Sequence, residues 1–252
     1  MSTQTLHRSN IGYVGADGIK PYAWNPGGCG CSNGCPDCWA RDCGKRQPCP
    51  DCRAFRVHWH PERIGQLAAT RKGGVTLVQF TGDLFDRQRE TWQIAQAVSA
   101  MLDASQHTYV LLSQSIETLS YWLALEEKSN WYSGVTIRNQ VQADKRLPIL
   151  AEFAGNRWIS FEPAEEVVTF RLSARAGYGL RGIIVGQNNK RGPRGTKYLY
   201  AIRSCIGQCL MAGVNCYVKQ LWHNGRLLRA SHPDERALYP KDIQVGKLPW
   251  EE

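Results

Sequence analysis

The stretch from Trp24 to Cys52 constrains this chain more than any other. It reads W-N-P-G-G-C-G-C-S-N-G-C-P-D-C-W-A-R-D-C-G-K-R-Q-P-C-P-D-C and holds seven of the ten cysteines. One pattern occurs twice. Cys29, Cys35 and Cys38 are spaced C-x5-C-x2-C, and Cys43, Cys49 and Cys52 repeat that spacing, both copies ending in C-P-D-C-x-A. Cys31 lies inside the first copy and has no counterpart in the second. Thiolates this dense in a Gly/Pro/Asn-rich loop need a partner, because short turns expose backbone N–H groups and wrap closely around an ion or cluster.

Three partners suit such a loop. Disulfides belong to oxidising compartments, and the opening M-S-T-Q-T-L-H-R-S-N lacks the apolar core of a secretory signal, which argues against them. Four thiolates close a zinc site of the ribbon or finger kind. Three thiolates hold an iron–sulfur cluster and leave one iron open for another ligand. Seven cysteines divide into three plus four, which favours a mixed answer. Cys29, Cys35 and Cys38 are the candidates for a [4Fe–4S] cluster. Cys31, Cys43, Cys49 and Cys52 are the candidates for a zinc site or a second cluster.

The rest of the composition bounds the partners. The net charge of +9 is uneven: residues 41–72 carry eight Lys/Arg against three Asp/Glu, and residues 190–252 carry eleven against five. Two basic regions on a nearly neutral body point to a polyanion-binding surface, with DNA or another nucleic acid first among candidates; a plainly solvated basic surface explains the charge as well. No apolar run reaches the length of a membrane span, so a cytoplasmic protein is expected.

From residue 20 onward the chain alternates between short apolar runs and helical patterns. Strands are expected at Lys20–Asn25, Val75–Phe80, Tyr109–Leu112, Trp131–Ile137, Arg157–Phe161, Gly182–Val185 and Asn215–Val218. Helices are expected from Pro61 to about Arg71, over Glu90–Ala104 (apolar at Trp92, Ile94, Ala95, Val98 and Leu102), and near Glu117–Lys128, Gln142–Phe153 and Tyr198–Ala212. Six or seven such βα units predict an α/β fold, a full or partial (β/α) barrel over residues 20–225. A polar arm (1–19) precedes it and a basic C-terminal extension (226–252) follows. His223-Asn224-Gly225 reads as a turn, and Trp250 as a pin for the chain end. Cys205, Cys209 and Cys216 read as buried packing residues.

In such barrels the chemistry gathers at the C-terminal ends of the strands. Every expected strand closes in polar residues there: Gln79 with Gly82 and Asp83, Ser113 with Gln114, Arg138 with Asn139, then Glu162, Gln187 with Asn188, and Lys219 with Gln220.

At this point the chain resembles a known family. The string W-N-P-x-x-G-C…S-x-G-C-x-x-C-[YW]-A is similar to that of phage-associated three-cysteine proteins of the radical S-adenosylmethionine type. G-D-L-F at Gly82–Phe85, G-V-T-I-R-N-Q at Gly134–Gln140, A-D-K-R-L-P-I-L at Ala143–Leu150, R-W-I-S-F-E-P at Arg157–Pro163, I-I-V-G-Q at Ile183–Gln187 and A-G-V-N-C-Y-V-K-Q at Ala212–Gln220 follow in the family's order. Three features depart from the pattern: the first spacing is x5 where x6 is usual, the second cysteine triplet is extra, and the usual radical-enzyme signature is C-x3-C-x2-C with an aromatic before the third cysteine, where Asp37 stands.

The resemblance implies a radical SAM-like partial barrel and a [4Fe–4S] cluster on Cys29, Cys35 and Cys38. It implies S-adenosyl-L-methionine on the open iron, an electron donor such as flavodoxin, and a 5′-deoxyadenosyl radical that abstracts hydrogen from substrate. Gly82 and Asp83 would lie near the methionine amino group, Trp39 beside the cluster, and Glu162 against cofactor or substrate. Gln79, Ser113, Gln114, Arg138 and Asn139 complete the expected cofactor set. Gln187, Asn188, Lys219 and Gln220 are the expected substrate contacts. The expected activity is isomerisation of an amino-acid-modified thymidine in phage DNA, in the cytoplasm of a bacterial host, with Tyr22, Trp24, His58 and His60 available to stack or bind an extruded base. The alternative is a non-catalytic, zinc-bearing nucleic-acid-binding module.

Overall fold

The computed structural model describes residues 4–13, 18–126, 128–172, 179–190 and 197–251. Parts of the expected N-terminal arm (1–3 and 14–17) and residue 127 of an expected helix lie outside these. The chain forms two compact units, Met1–Ser9 with Pro21–Ser133 and Asn10–Lys20 with Gly134–Glu252. Both mix parallel strands with helices, as the alternating pattern requires.

In the first unit β1 (His7–Arg8) runs antiparallel to β2 (Tyr22–Trp24), which is parallel to β3 (Val75–Val78), itself parallel to β4 (Thr108–Ser113). The cysteine loop fills the long β2–β3 connection with two short helices, α1 (Trp39–Gly44) and α2 (Pro50–Ala54). The helix expected over Pro61–Arg71 is instead a 3-10 turn, Pro61–Arg63, and a four-residue helix α3 (Gln66–Ala69). Gly65 stands between the two, and its backbone freedom makes continuous helix costly there. Helices α4 (Thr91–Asp103) and α5 (Ile116–Glu126) follow β3 and β4. Leu77, Val78, Tyr109, Val110 and Leu111 are buried, and Ile94, Ala97, Val98 and Met101 of α4 join that core. Each buried Val, Leu, Ile or Met side chain among them contributes about 1.5–3 kcal/mol. Trp92, expected on the apolar face, is 57% exposed and lies edge-on to Trp59.

β5 (Trp131–Thr136) carries the chain from one unit's residues into the other's. The second unit contains α6 (Gln140–Ala151), β6 (Asn156–Phe161), β7 (Leu180–Gly186), α7 (Lys197–Ala212) and β8 (Asn215–His223). β6, β7 and β8 are parallel, and β9 (Arg226–Arg229) folds back antiparallel on β8 through the Asn224-Gly225 turn. A short α8 (Pro233–Arg236) follows. Within residues 226–251, Tyr239 donates to the carbonyl of Lys219 at 3.2 Å, and Trp250 meets Tyr13 and Trp158 edge-on, each at 5.9 Å. Cys205, Cys209 and Cys216 are buried with their sulfurs within 4.8 Å of one another. Within each unit the sheet is open. No helix among the described residues is long and apolar enough to cross a membrane.

Candidate metal centre

The cysteine loop is fastened to the C-terminal end of β3, and the residues just past that strand hold it. Gln79 leaves the strand with φ +57°, a left-handed conformation rare for a residue with a side chain. Its buried amide bridges the loop's start, accepting from Gly27 N–H at 2.6 Å and donating to the Gly28 carbonyl at 2.8 Å. Thr81 Oγ1 donates to the Gly28 carbonyl at 2.7 Å, and Asn25 Oδ1 accepts from the Thr81 backbone N–H at 3.2 Å. Gly30 and Gly82 form a parallel bridge so close that a Cβ on Gly82 would stand 2.4 Å from the Gly30 oxygen.

Two carboxylates then grip the loop's middle. Asp83, 2% exposed, accepts from Asn33 Nδ2 at 3.0 Å, Ser113 Oγ at 2.8 Å, the Gln114 backbone N–H at 2.9 Å and the Phe85 N–H at 3.0 Å. It therefore ties the loop to the end of β4. Burial nevertheless raises its carboxyl above the ordinary value. Asp86 accepts from the Ser32 N–H at 2.6 Å and the Ser32 hydroxyl at 2.8 Å. The Gln114 side-chain amide donates to Cys35 Sγ at 2.9 Å. Gln79, Gly82, Asp83, Ser113 and Gln114, expected around a cofactor, thus all meet at the loop, and each has a loop or strand-end partner. Trp39 opens α1, half-buried, directly after Cys38.

Cys29 sits with the later cysteines: its N–H donates to Cys52 Sγ at 3.3 Å, and its Cβ lies beside Gly44. Burial pushes its thiol up to about 11, with Cys52 and Cys43 adding to the effect against the Thr81 hydroxyl. Burial above all pushes the Cys31 thiol up to about 12, with the charges of Cys38, Asp83 and Asp86 adding to it against the Asn33 N–H. A thiolate there calls for a compensating cation. The expected second set also changes membership. Cys49 and Cys52 stay together, but the partners beside them are His58 and His60 in place of Cys31 and Cys43. Cys52 Sγ lies 3.2 Å from His58 Nε2 and 3.7 Å from His60 Nε2, and Cys49 Sγ lies 3.8 Å from His58 Nε2. These four could hold a metal ion such as zinc. Cys43 lies apart from this group, with the Arg46 guanidinium 3.5 Å from its sulfur.

Some of this was readable earlier and was missed. With Cys29 set aside, Cys31, Cys35 and Cys38 have the radical-enzyme spacing C-x3-C-x2-C, with Asp37 still standing where an aromatic is usual. Cys49-x2-Cys52-x5-His58-x-His60 is likewise a ligand-like spacing. Asn33, Asp86 and Arg89 carried no signal. Arg89 acquires its role only in the fold, donating to the His58 carbonyl at 2.9 Å beneath the loop.

The other expected contacts lie in the second unit. Arg138 and Asn139 follow β5, where Asn139 caps α6 by accepting from the Gln142 N–H at 2.9 Å, and a buried Arg138 Nε has no partner among the described residues. Glu162, past β6, pairs with Lys219 Nζ at 2.8 Å and accepts from Ser160 Oγ at 3.2 Å and Tyr13 OH at 3.3 Å. Gln187 Oε1 accepts from the Trp222 N–H at 2.5 Å, and Gln220 Nε2 donates to the Gln187 carbonyl at 2.7 Å. Asn188 Oδ1 accepts from the Lys190 N–H at 2.9 Å. Gln187 and Asn188 lie just past β7, whereas Lys219 and Gln220, expected at a strand end, lie inside β8, which runs on to His223. The Nε2 of buried Gln187 is left without a partner among the described residues.

No curated protein and no solved structure matches this chain. A family model described as "Protein of unknown function (DUF5131)" matches residues 16–240, nearly the whole length, and the chain belongs to that family.

Proposed function

We propose that this protein is a radical S-adenosylmethionine enzyme whose cluster ligands are Cys31, Cys35 and Cys38. The observation that carries this reading is the C-x3-C-x2-C loop fastened past the C-terminal end of a parallel strand, with Cys35 held by Gln114. The donor set suits a [4Fe–4S] cluster: three thiolates in a turn leave one iron for the amino and carboxylate groups of S-adenosylmethionine. When bound, that pair supplies reductive cleavage of the sulfonium and removal of a hydrogen atom from substrate. The chain's own residues do the positioning. Asp83 orders the loop through Asn33 and β4 through Ser113, and Gln114 donates a hydrogen bond to one ligand sulfur. The reading carries with it a partial (β/α) barrel and an electron donor such as flavodoxin. It also carries a DNA-borne, amino-acid-modified thymidine as substrate, supported by the two basic segments and the resemblance.

A second reading, a zinc-bearing nucleic-acid-binding module without catalysis, is favoured by the Cys49/Cys52/His58/His60 group beside the basic stretch 41–72. Anaerobic reconstitution separates the two. The radical reading expects about four iron and four sulfide per chain, and formation of 5′-deoxyadenosine from S-adenosylmethionine with a chemical reductant. Alanine at Cys31, Cys35 or Cys38 abolishes both, whereas Cys29→Ala keeps the iron. Protein that takes up no iron without oxygen present sinks the reading, and iron lost with Cys29→Ala but kept with Cys31→Ala sinks this ligand assignment.

A further inference from the structure

We propose that Cys49, Cys52, His58 and His60 bind one zinc ion in a closed, purely structural site that pins the cysteine loop from beneath. The local sequence explains how the four converge. Cys49 precedes α2 as its N-cap and Cys52 lies on its first turn, so the C-P-D-C segment turns both sulfurs to one side. Phe55 then adopts a left-handed conformation (φ 55°) and turns the chain back. His58 and His60 alternate along an extended segment, so both rings project the same way. The His60 N–H donates to the Pro26 carbonyl at 2.7 Å, which lays that segment against the start of the loop.

The proton inventory calls for a cation. His58 Nδ1 lies 2.8 Å from the Arg56 carbonyl oxygen, and His60 Nδ1 lies 2.8 Å from Glu62 Oε1. Both partners accept only, so in the neutral rings that a metal requires both Nδ1 atoms carry the protons and both Nε2 atoms present lone pairs. Those two Nε2 atoms face each other at 3.0 Å, with no proton to share. All four donor atoms lie within 4.8 Å of one another. Zinc bonds of about 2.0–2.1 Å to nitrogen and about 2.3 Å to sulfur put tetrahedral ligand atoms roughly 3.3–3.8 Å apart, which matches the separations here. Two thiolates also neutralise a divalent ion, which suits a half-buried place.

The surroundings are those of a ligand shell. The carbonyl of Arg56 and the carboxylate of Glu62 orient the two imidazoles, the role such outer partners play at zinc sites. The Cys29 N–H donates to the Cys52 sulfur at 3.3 Å. Gly28 (φ +60°) makes the room: a Cβ there would stand 2.5 Å from His58 Nε2 and 2.8 Å from Cys52 Sγ. Four protein ligands leave no open position, so the ion serves the fold and takes no substrate. Gly28 and Cys29 immediately precede Cys31, so the ion anchors the base from which the iron-binding turn springs.

The test uses full-length protein purified without oxygen, with zinc and iron counted together. One zinc per chain is expected, kept in a Cys31→Ala/Cys35→Ala/Cys38→Ala variant and lost in Cys49→Ala/His60→Ala. Because the latter can fail through misfolding, Glu62→Ala, at a side chain 66% exposed, gives the second reading. It should weaken zinc by about 10- to 100-fold against a chromophoric chelator, with unchanged far-ultraviolet circular dichroism. Cobalt(II) in place of zinc should give the visible bands of a tetrahedral site with thiolate-to-metal charge transfer. Absence of bound zinc before and after metal addition overturns the proposal. So does zinc that leaves with the three-cysteine variant, or Glu62→Ala with wild-type affinity. Iron-free protein holding one zinc would uphold this site and overturn only the radical chemistry.

Discussion

At the scale of single residues, Asp83 concentrates the competing forces. Four hydrogen-bond donors stabilise its charged form, but burial outweighs them and raises the carboxyl above the ordinary value. Folded protein then binds a proton at a pH where the unfolded chain has released it. The stability this residue contributes is therefore present below the ordinary carboxylate value and is lost as pH rises through the folded-state value. Metal-free protein should lose stability with rising pH from about pH 4 upward, and Asp83→Asn should flatten that part of the profile. Urea unfolding across the range reads the slope, and parallel slopes for the two proteins would refute the assignment. Gln79 shows the same economy of position. Expected to touch a cofactor, it spends its whole amide on Gly27 and Gly28.

At the scale of elements, the two apolar periods carried the strands and long helices, and the departures have local causes. β3 stops at Val78, short of Phe80, because Gln79 turns out of the strand to meet the loop. The helix expected over Pro61–Arg71 breaks at Gly65. Asn139 was expected at a cofactor, but its side chain is engaged as the N-cap of α6. Asn139→Ala should cost about 1 kcal/mol of stability, and Asn139→Asp should restore it, since either acceptor serves that position. Denaturant midpoints measured with a constant slope check this; two neutral substitutions would remove the capping role.

At the scale of the whole molecule, each unit holds one basic segment and one set of polar strand ends. Arg41, Lys45, Arg46, Arg53 and Arg56 are exposed around the cysteine loop. If the substrate is DNA, replacing Lys45, Arg46, Arg53 and Arg56 by alanine should weaken duplex binding. The slope of log affinity against log salt should also fall by roughly 0.9 for each phosphate contact removed. Fluorescence anisotropy at several salt concentrations reads both, with zinc content as the control for folding. An unchanged slope would return this surface to the role of solvated charge.

The chain's order of residues alone determined the alternation of strands and helices, the polar strand ends and the clustering of seven thiols in one loop, because these depend on side-chain periodicity and composition over short distances. Which thiol stands with which was a matter for the tertiary structure. Cys29 and Cys31 are two residues apart, yet the first donates its N–H to Cys52 while the second lies in the field of Cys38, Asp83 and Asp86. His58 and His60 join Cys49 and Cys52 only because Phe55 reverses the chain and Gly28 leaves space. Both ligand-like spacings stand in the sequence, but choosing them over the repeated C-x5-C-x2-C pattern needed the left-handed turn at Phe55 and the imidazoles it brings back to the sulfurs.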